Sequence, residues 1–448
     1  MKLFSPRDGI PRMKPLSTKR PTVVSVLDIG SSKVCCLIAK LKPREESAVL
    51  PGRTHKIEVI GIGHQRARGI KSGAVVDLDG AEHSIRLAVE AAERMAGVTV
   101  ESLIVNVSSG RLNSELFSAD ISLGGHQIEE DDIARVLKTG AQHALASERS
   151  VVHSLPIGFS LDGDQGVSDP RGMLGDKLGV DMHIVTAEDA PLRNLELCIN
   201  RAHLSIETMV ATPYASGLSA LVDDEAQLGC ACIDMGGGTT TLSIFMDGRF
   251  VFCDAVTVGG NHVTMDLARG LSTRIEDAEK IKILQGSALS GGNGEDDTIS
   301  IPPMGDDERD LPNQVSRSHL TRIIRPRVEE ILELIRDRLS ASGFAGTVGK
   351  RIVLTGGASQ LNGVGELARR ILGKNVRIGR PTGVSGMPES AKGPAFSASV
   401  GLLIYPQMTH LENFEPRSFM RSGGRSEYRM TGTGGPIGRF GSWLKESF

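Results

Sequence analysis

Apolar positions fall mostly into short continuous runs separated by glycine turns. The first such pair, TVVSVLDIGSSKVCCLIAKL, holds two strand-like runs (23–28 and 33–40) joined by a tight Gly/Ser turn. A third strand is expected over 57–63. Between 81 and 97 the apolar positions Ile85, Ala88, Val89, Ala92 and Met95 recur at helical spacing. A strand over 102–107 follows, then a mixed stretch with strands over 116–123 and 151–159 and a helix over 130–143. The opening pattern then returns: CACIDMGGGTTTLSIFMDG (230–248) is again a strand ending in Asp, a Gly/Thr turn and a returning strand. Such duplication predicts two related lobes. Residues 266–345 read as mostly helical around a polar insertion, 286–316, with a short strand over 298–301. RIVLTGGASQLNGVGELARRILG (351–373) reads as strand, glycine turn and helix.

The two ends differ from this interior. Residues 1–21 are basic and broken by Pro6, Pro11, Pro15 and Pro21, which predicts a flexible tail. Residues 406–434 are rich in Gly, Ser and Arg and read as a linker. In the final GPIGRFGSWLKESF, Ile437, Phe440, Trp443, Leu444 and Phe448 share one helical face. This stretch is too short to cross a bilayer and long enough to lie in its interface, with Arg417, Arg421, Arg425 and Arg429 upstream to attract anionic lipid. A terminal helix docked back on the core is the competing reading.

Composition narrows the class. The 448 residues are 40% hydrophobic and 23% charged, which excludes wholesale disorder. Lys plus Arg number 51 and Asp plus Glu 54, a near balance that argues against a nucleic-acid coat. The six cysteines lie mostly in apolar runs without metal spacing, so buried thiols in a reducing compartment are expected. The N-terminus lacks the apolar stretch of a signal peptide, so the chain is expected to stay inside the cell.

The chemistry concentrates in the glycine turns. In the first, Asp28 closes a strand and Gly30, Ser31, Ser32 and Lys33 turn it back; in the second, Asp234 precedes Gly236, Gly237, Gly238, Thr239 and Thr240. Glycine lets the backbone approach a phosphate and aim N–H groups at it, and the hydroxyls add donors. An Asp at each strand end suits Mg²⁺, directly or through water. A third element, Leu354-Thr355-Gly356-Gly357-Ala358-Ser359, ends a strand and suits close approach to a ribose or a flat ring. Each turn alone is compatible with an ordinary hairpin or helix cap; the order and spacing of all three carry the signal.

These motifs resemble the phosphate-one (LDIGSSK), phosphate-two (IDMGGGTT) and adenosine (LTGGAS) motifs of the actin and sugar-kinase ATPase superfamily, to which the heat-shock chaperone ATPases also belong. Within it, the chain is similar to the bacterial cell-division family FtsA over residues 22–405 and the C-terminal tip. The resemblance implies an α/β, duplicated actin-like ATPase fold with two lobes around a nucleotide cleft. It also implies a relocated small α/β subdomain and a C-terminal amphipathic helix. The first lobe would span 22–107 and 189–225, interrupted by the relocated subdomain at 108–188. The second would span 226–265 and 346–405 around a helical subdomain, 266–345, with the membrane-targeting helix at 435–448. ATP with Mg²⁺ is the implied ligand. Asp28 and Asp234 would lie at the metal, with Gly259, Gly260, Glu279 and Lys282 flanking the nucleotide; read alone, those four are a glycine turn and a solvated helix face. Helices over 79–95 and 393–403 would connect the lobes.

Arg327 and Glu330, three apart on a helix, read alone as a surface ion pair; the resemblance implies contact with the C-terminal peptide of FtsZ. Its further implications are self-assembly into filaments, attachment to anionic lipid on the cytoplasmic side of the inner membrane at the division septum, recruitment of later divisome proteins, and no nucleic acid. The resemblance leaves the rate of ATP hydrolysis open, and no general base stands out. A phosphotransferase of the sugar-kinase type is the alternative, although no substrate-side catalytic Asp is evident.

Overall fold

The computed structural model describes residues 10–45, 53–108, 111–141, 148–290, 297–304 and 312–412. The chain opens with β1 (Thr22–Ile29), β2 (Lys33–Pro43) and β3 (His55–Arg66), an antiparallel meander. A small hairpin, β4 (Ile70–Lys71) and β5 (Ala74–Val75), leads into α1 (Leu78–Ala96). Asp77 caps that helix by accepting from the Asp79 N–H, and Gly97 ends it in the left-handed region. β6 (Ser102–Val107) then pairs parallel to β1.

The chain next leaves the first sheet. β7 (Asn113–Ser122), α2 (Glu130–Ala141), β8 (Arg149–Leu161), β9 (Asp164–Val167) and β10 (Lys177–Glu188) form a separate four-stranded antiparallel sheet, ordered β7-β10-β8-β9. It has its own core around Val136, Leu178, Val180 and Met182. α3 (Asp189–Arg201) and β11 (Ser205–Ala211) return to the first sheet, and α4 (Thr212–Ala220) and α5 (Asp223–Leu228) lead out of it.

The second lobe repeats the first. β12 (Cys230–Met235), β13 (Thr240–Met246) and β14 (Arg249–Val256) form another antiparallel meander. α6 (Gly260–Gly270), α7 (Ile275–Gln285), the ladder of β15 (Thr298–Ile301) with β16 (Asn313–Ser316), and α8 (Arg317–Ala341) build the helical part. β17 (Arg351–Thr355), α9 (Val364–Leu372) and β18 (Asn375–Ile378) complete the sheet; β19 (Val384–Ser385) then joins the first lobe beside β3, and α10 (Ser397–Ile404) follows. The first sheet runs β19-β3-β2-β1-β6-β11 and the second β14-β13-β12-β17-β18; apart from β19, each has three antiparallel strands followed by two parallel ones. Every residue of β12 and β13 is buried, as expected for central strands covered on both faces.

Three expectations need correction. The helix over 79–95 does not connect the lobes: α1 lies on β3, where Gly61 and Gly63 admit the backbone at Ala92 and Ala88. The helix paired with α10 is α4, between β11 of one sheet and β12 of the other. Nor is the tail over 1–21 loose throughout, because Ile10 is buried in the first-lobe core and Arg12 donates to the carbonyls of Val152 (2.7 Å) and Val151 (2.6 Å). The linker over 406–434 does not begin at 406: 3-10 turns at Tyr405–Gln407 and Thr409–Leu411 continue the folded body, with Pro406 and Gln407 buried. The C-terminal segment with Ile437, Phe440, Trp443, Leu444 and Phe448 lies outside the described residues.

Candidate functional site

The two glycine turns face each other across a cleft of about 510 Å³ between the lobes. Gly30, Ser31, Ser32 and Lys33 line one side and Gly236, Gly237, Gly238 and Thr239 the other. The approach is close: a Cβ on Gly237 would stand 2.0 Å from Ser32 Oγ and would push that hydroxyl out of its contact between the turns. Ser32 Oγ donates to Asn261 Oδ1 (2.9 Å) from lobe to lobe, and Arg66 pairs with Glu276 across the gap.

Asp28 and Asp234 lie at the ends of their strands at the floor, both buried, and each is held by one of the two helices packed together between the lobes. Ser399 of α10 donates to Asp28 Oδ2 (2.7 Å), and Ser216 of α4 donates to Asp234. Asn106 adds a bond from Nδ2 to Asp28 Oδ1 (2.9 Å) while its Oδ1 accepts the Ile29 N–H. Burial raises the Asp28 carboxyl above its ordinary range, against the opposing pull of Lys33 and Ser399. Burial pushes Asp234 up to about 6, with the Ser216 bond opposing and the neighbouring Asp28 charge adding to the rise. Burial likewise lowers the Lys33 ammonium, opposed by Cys35, Asp28 and Asp234. Lys33 Nζ lies 3.2 Å from the centre of the Phe396 ring and has no hydrogen-bond partner. Thr241 Oγ1, beside the second turn, is also unpaired.

The third element takes the expected place. Gly356, Gly357 and Ala358 line the cleft where β17 gives way to a 3-10 turn, Gly357–Gln360. Gly356 has φ +85°, and a Cβ there would meet Asp234 Oδ1 at 2.2 Å, which ties the third motif to the second. Gly260, Glu279 and Lys282 also line the cleft; Lys282 Nζ donates to Glu279 (2.7 Å), Thr264 Oγ1 (2.8 Å) and the Gly260 carbonyl (3.2 Å).

Two expected contacts sit behind the wall. The Thr240 hydroxyl is fully buried and donates to the Val258 carbonyl (2.8 Å). Gly259 packs under the second turn, with room for no Cβ between it and the Gly236 carbonyl. The sequence reading missed Asn106, Thr212, Ser216, Asn261, Phe396 and Ser399. Asn106 carried a signal, as the lone amide inside the apolar strand LIVNV. The others are small or polar residues whose roles depend on distant partners.

Away from the cleft, Arg327 and Glu330 do pair on α8, and Arg327 also forks onto Asp266 of α6 through Nε (2.6 Å) and a second nitrogen (3.2 Å). Among the described residues, no cluster of three or more His, Cys, Asp and Glu side chains could hold a metal. Asp28 and Asp234 are the two carboxylates at the ends of the facing strands, and Glu279 is a third carboxylate in the cleft lining.

Two sheets that share a five-strand order, a helix pair packed between the lobes and a glycine-lined cleft define an actin-like protein. The chain aligns with the PilM-PilN type IV pilus biogenesis complex at TM-score 0.59 and 14% identity, covering 86% of this chain and 98% of that one. It aligns with MreB5 of Spiroplasma citri bound to ADP at TM-score 0.51 and 14% identity, covering 88% and 98%. The profile of the family Cell division protein FtsA matches residues 231–401, and that of the SHS2 domain inserted in FTSA matches 109–186, the span of the separate sheet. The chain is 62% identical over 441 residues to the cell division protein FtsA of Agrobacterium fabrum, covering 98% of each. To that of Pseudomonas aeruginosa it is 34% identical over 379 residues, covering 85% of this chain and 88% of the relative. It belongs to the FtsA family of cell-division proteins.

Proposed function

We propose that this chain binds ATP with Mg²⁺ between its lobes and assembles with its own copies on the inner face of the cytoplasmic membrane at the division septum. There it tethers FtsZ filaments and recruits later divisome proteins. The observation that carries this reading is Lys33, which lines the cleft between two glycine turns while its buried ammonium, packed on the Phe396 ring, has no hydrogen-bond partner. A buried cation without a hydrogen-bonding partner is costly, and a polyphosphate would supply one. ATP bound here brings the triphosphate charge that Lys33 and the turn N–H groups would meet, and Mg²⁺ would be held from the Asp28 and Asp234 side. Asn106 and Ser399 orient the first carboxylate and Ser216 the second. The nucleotide-bound state of the structural relative MreB5 agrees with this assignment.

The partner face is Arg327 with Glu330, held at a set angle by Asp266. The membrane anchor is the face of Ile437, Phe440, Trp443, Leu444 and Phe448, reached through the Gly-, Ser- and Arg-rich stretch that follows Glu412. Burying these side chains at an interface contributes several kcal/mol at roughly 25 cal/mol per Å², and a filament multiplies single anchors by effective concentration. No helix among the described residues is long and apolar enough to cross a membrane. The test is electron microscopy on lipid monolayers together with vesicle sedimentation, each with and without ATP. We expect filaments with ATP and release of Trp443→Glu from vesicles; a Trp443→Glu protein that still sediments would overturn the anchor assignment.

A further inference from the structure

Residues 10–20 form a strap laid along the first lobe and the neighbouring inserted sheet. Ile10 enters the core, Met13 and Leu16 pack against it, and Arg12 holds two consecutive carbonyls of β8. Pro11 and Pro15 restrict the backbone between these anchors. The Ser17 carbonyl meets His55 Nε2 (3.0 Å).

The last described stretch of the chain uses the same footholds. The His55 N–H donates to Gln407 Oε1 (2.8 Å). His153, next in sequence to Val152, accepts the Ala211 N–H at Nε2 (2.9 Å), so its Nδ1 carries the proton and donates to Glu412 Oε1 (2.8 Å). Strap and C-terminal exit therefore run side by side, joined through His55 and through neighbouring residues of β8. Lys14, Lys19 and Arg20 stand exposed on the strap, with no ion pair to any described residue.

We propose that this strap is a second membrane contact: a pre-ordered basic site for anionic phospholipid headgroups, placed where the C-terminal segment departs. The inference rests on the membrane reading of residues 435–448 and adds to it a site on the folded body. The whole chain carries a net charge of -3, so three exposed cations beside the exit, without an ion pair among the described residues, are a local excess rather than the general character of the surface. The segment that leaves at 412 carries Arg417, Arg421, Arg425 and Arg429, which continue the same sign. Because Ile10 and Arg12 already hold the strap, docking it costs little conformational entropy. It would also set the face that the body turns to the lipid, which a linker alone leaves free.

The test uses the full chain and vesicles of phosphatidylcholine with increasing phosphatidylglycerol. Lys14→Ser/Lys19→Ser/Arg20→Ser should weaken partitioning onto phosphatidylglycerol-rich vesicles roughly tenfold or more, since each basic residue at an anionic surface is worth about fivefold. Partitioning onto pure phosphatidylcholine should not change, and at saturating vesicles Trp443 fluorescence should still shift to the blue. Equal partitioning of variant and parent at every phosphatidylglycerol fraction would overturn the proposal. So would tighter capture by duplex DNA than by vesicles of equal charge, which would assign the cations to nucleic acid. A Trp443 signal that never shifts, in parent or variant, would instead remove the C-terminal anchor, a separate failure.

Discussion

Gly401 lies so close to the backbone of Ala215 that a Cβ on it would stand 1.7 Å from the Ala215 carbonyl oxygen. This is where α10, packed on the first lobe, meets α4, which leads into the second, and each gives a serine to the carboxylate of its own lobe. The crossing therefore positions both Asp28 and Asp234, through Ser399 and Ser216.

Gly401→Val should separate the two helices. Overpacking of this kind costs about 1–3 kcal/mol, and here it should also weaken nucleotide binding by moving both serines. Chemical denaturation and nucleotide titration check it. Gly158→Ala, where nothing lies within 4 Å of the added carbon, is the control expected to leave both unchanged.

Lys33→Met removes the buried cation that lies over the Phe396 ring without a hydrogen-bond partner. The empty protein should keep its stability or gain about 1 kcal/mol, because an unpaired buried charge is lost. Affinity for a fluorescent ATP analogue should fall about 10- to 100-fold, the worth of a charge-assisted bond. Unchanged affinity would remove Lys33 from the phosphate site.

His183 supplies a pH dependence. It lies in β10, where burial drives its imidazole down to about 3. Its Nδ1–H donates to the Phe250 carbonyl (2.8 Å) and its Nε2 accepts from Ser114 (2.7 Å), which in turn accepts the Cys253 N–H (3.1 Å). The inserted sheet is thus joined to β14 of the second lobe through a neutral ring. Unfolded histidine takes a proton near pH 6.5 and the folded ring does not until about 3. Stability should be complete above 6.5 and fall by about 1.4 kcal/mol per unit as pH drops between those values. His183→Gln should lower the plateau and flatten that slope, read from denaturation midpoints across pH.

Arg327→Glu would face Asp266 with a like charge and leave Glu330 unpaired. We expect binding of an FtsZ C-terminal peptide to weaken at least about tenfold while ATP affinity holds, since breaking a partly buried pair costs more than an exposed one. Calorimetric titration decides it, and wild-type affinity would move the partner site off this helix.

The glycine turns were legible because strand runs and turn chemistry are local. Asp28 and Asp234 close apolar runs, and the residues after them read as turns with no knowledge of the partner lobe. Thr240 and Gly259 show where this reading stops: within a turn motif, sequence does not say which residue faces the cleft and which packs behind it. The helix over 79–95 is visible through its amphipathic stripe, but the stripe does not say that it packs on β3 rather than between the lobes. The true connector, α4, has eight of its nine residues buried and shows no stripe to read.

The strap was invisible for a related reason. Ile10 and Arg12 among prolines and lysines have the composition of a solvated tail, and only β8 and the core beneath them give those two side chains somewhere to go. By itself the sequence determined the duplicated strand–turn–strand units, the three glycine motifs and the separate segment after β6, because period and turn preference act over a few residues. Tertiary structure alone decided which helices cross, which serines hold the carboxylates, and that the N-terminal strap and the C-terminal exit lie together. Ser399 and Asp28 are 371 residues apart; such pairs depend on the closure of the whole chain, to which local patterns contribute only that each residue can be buried.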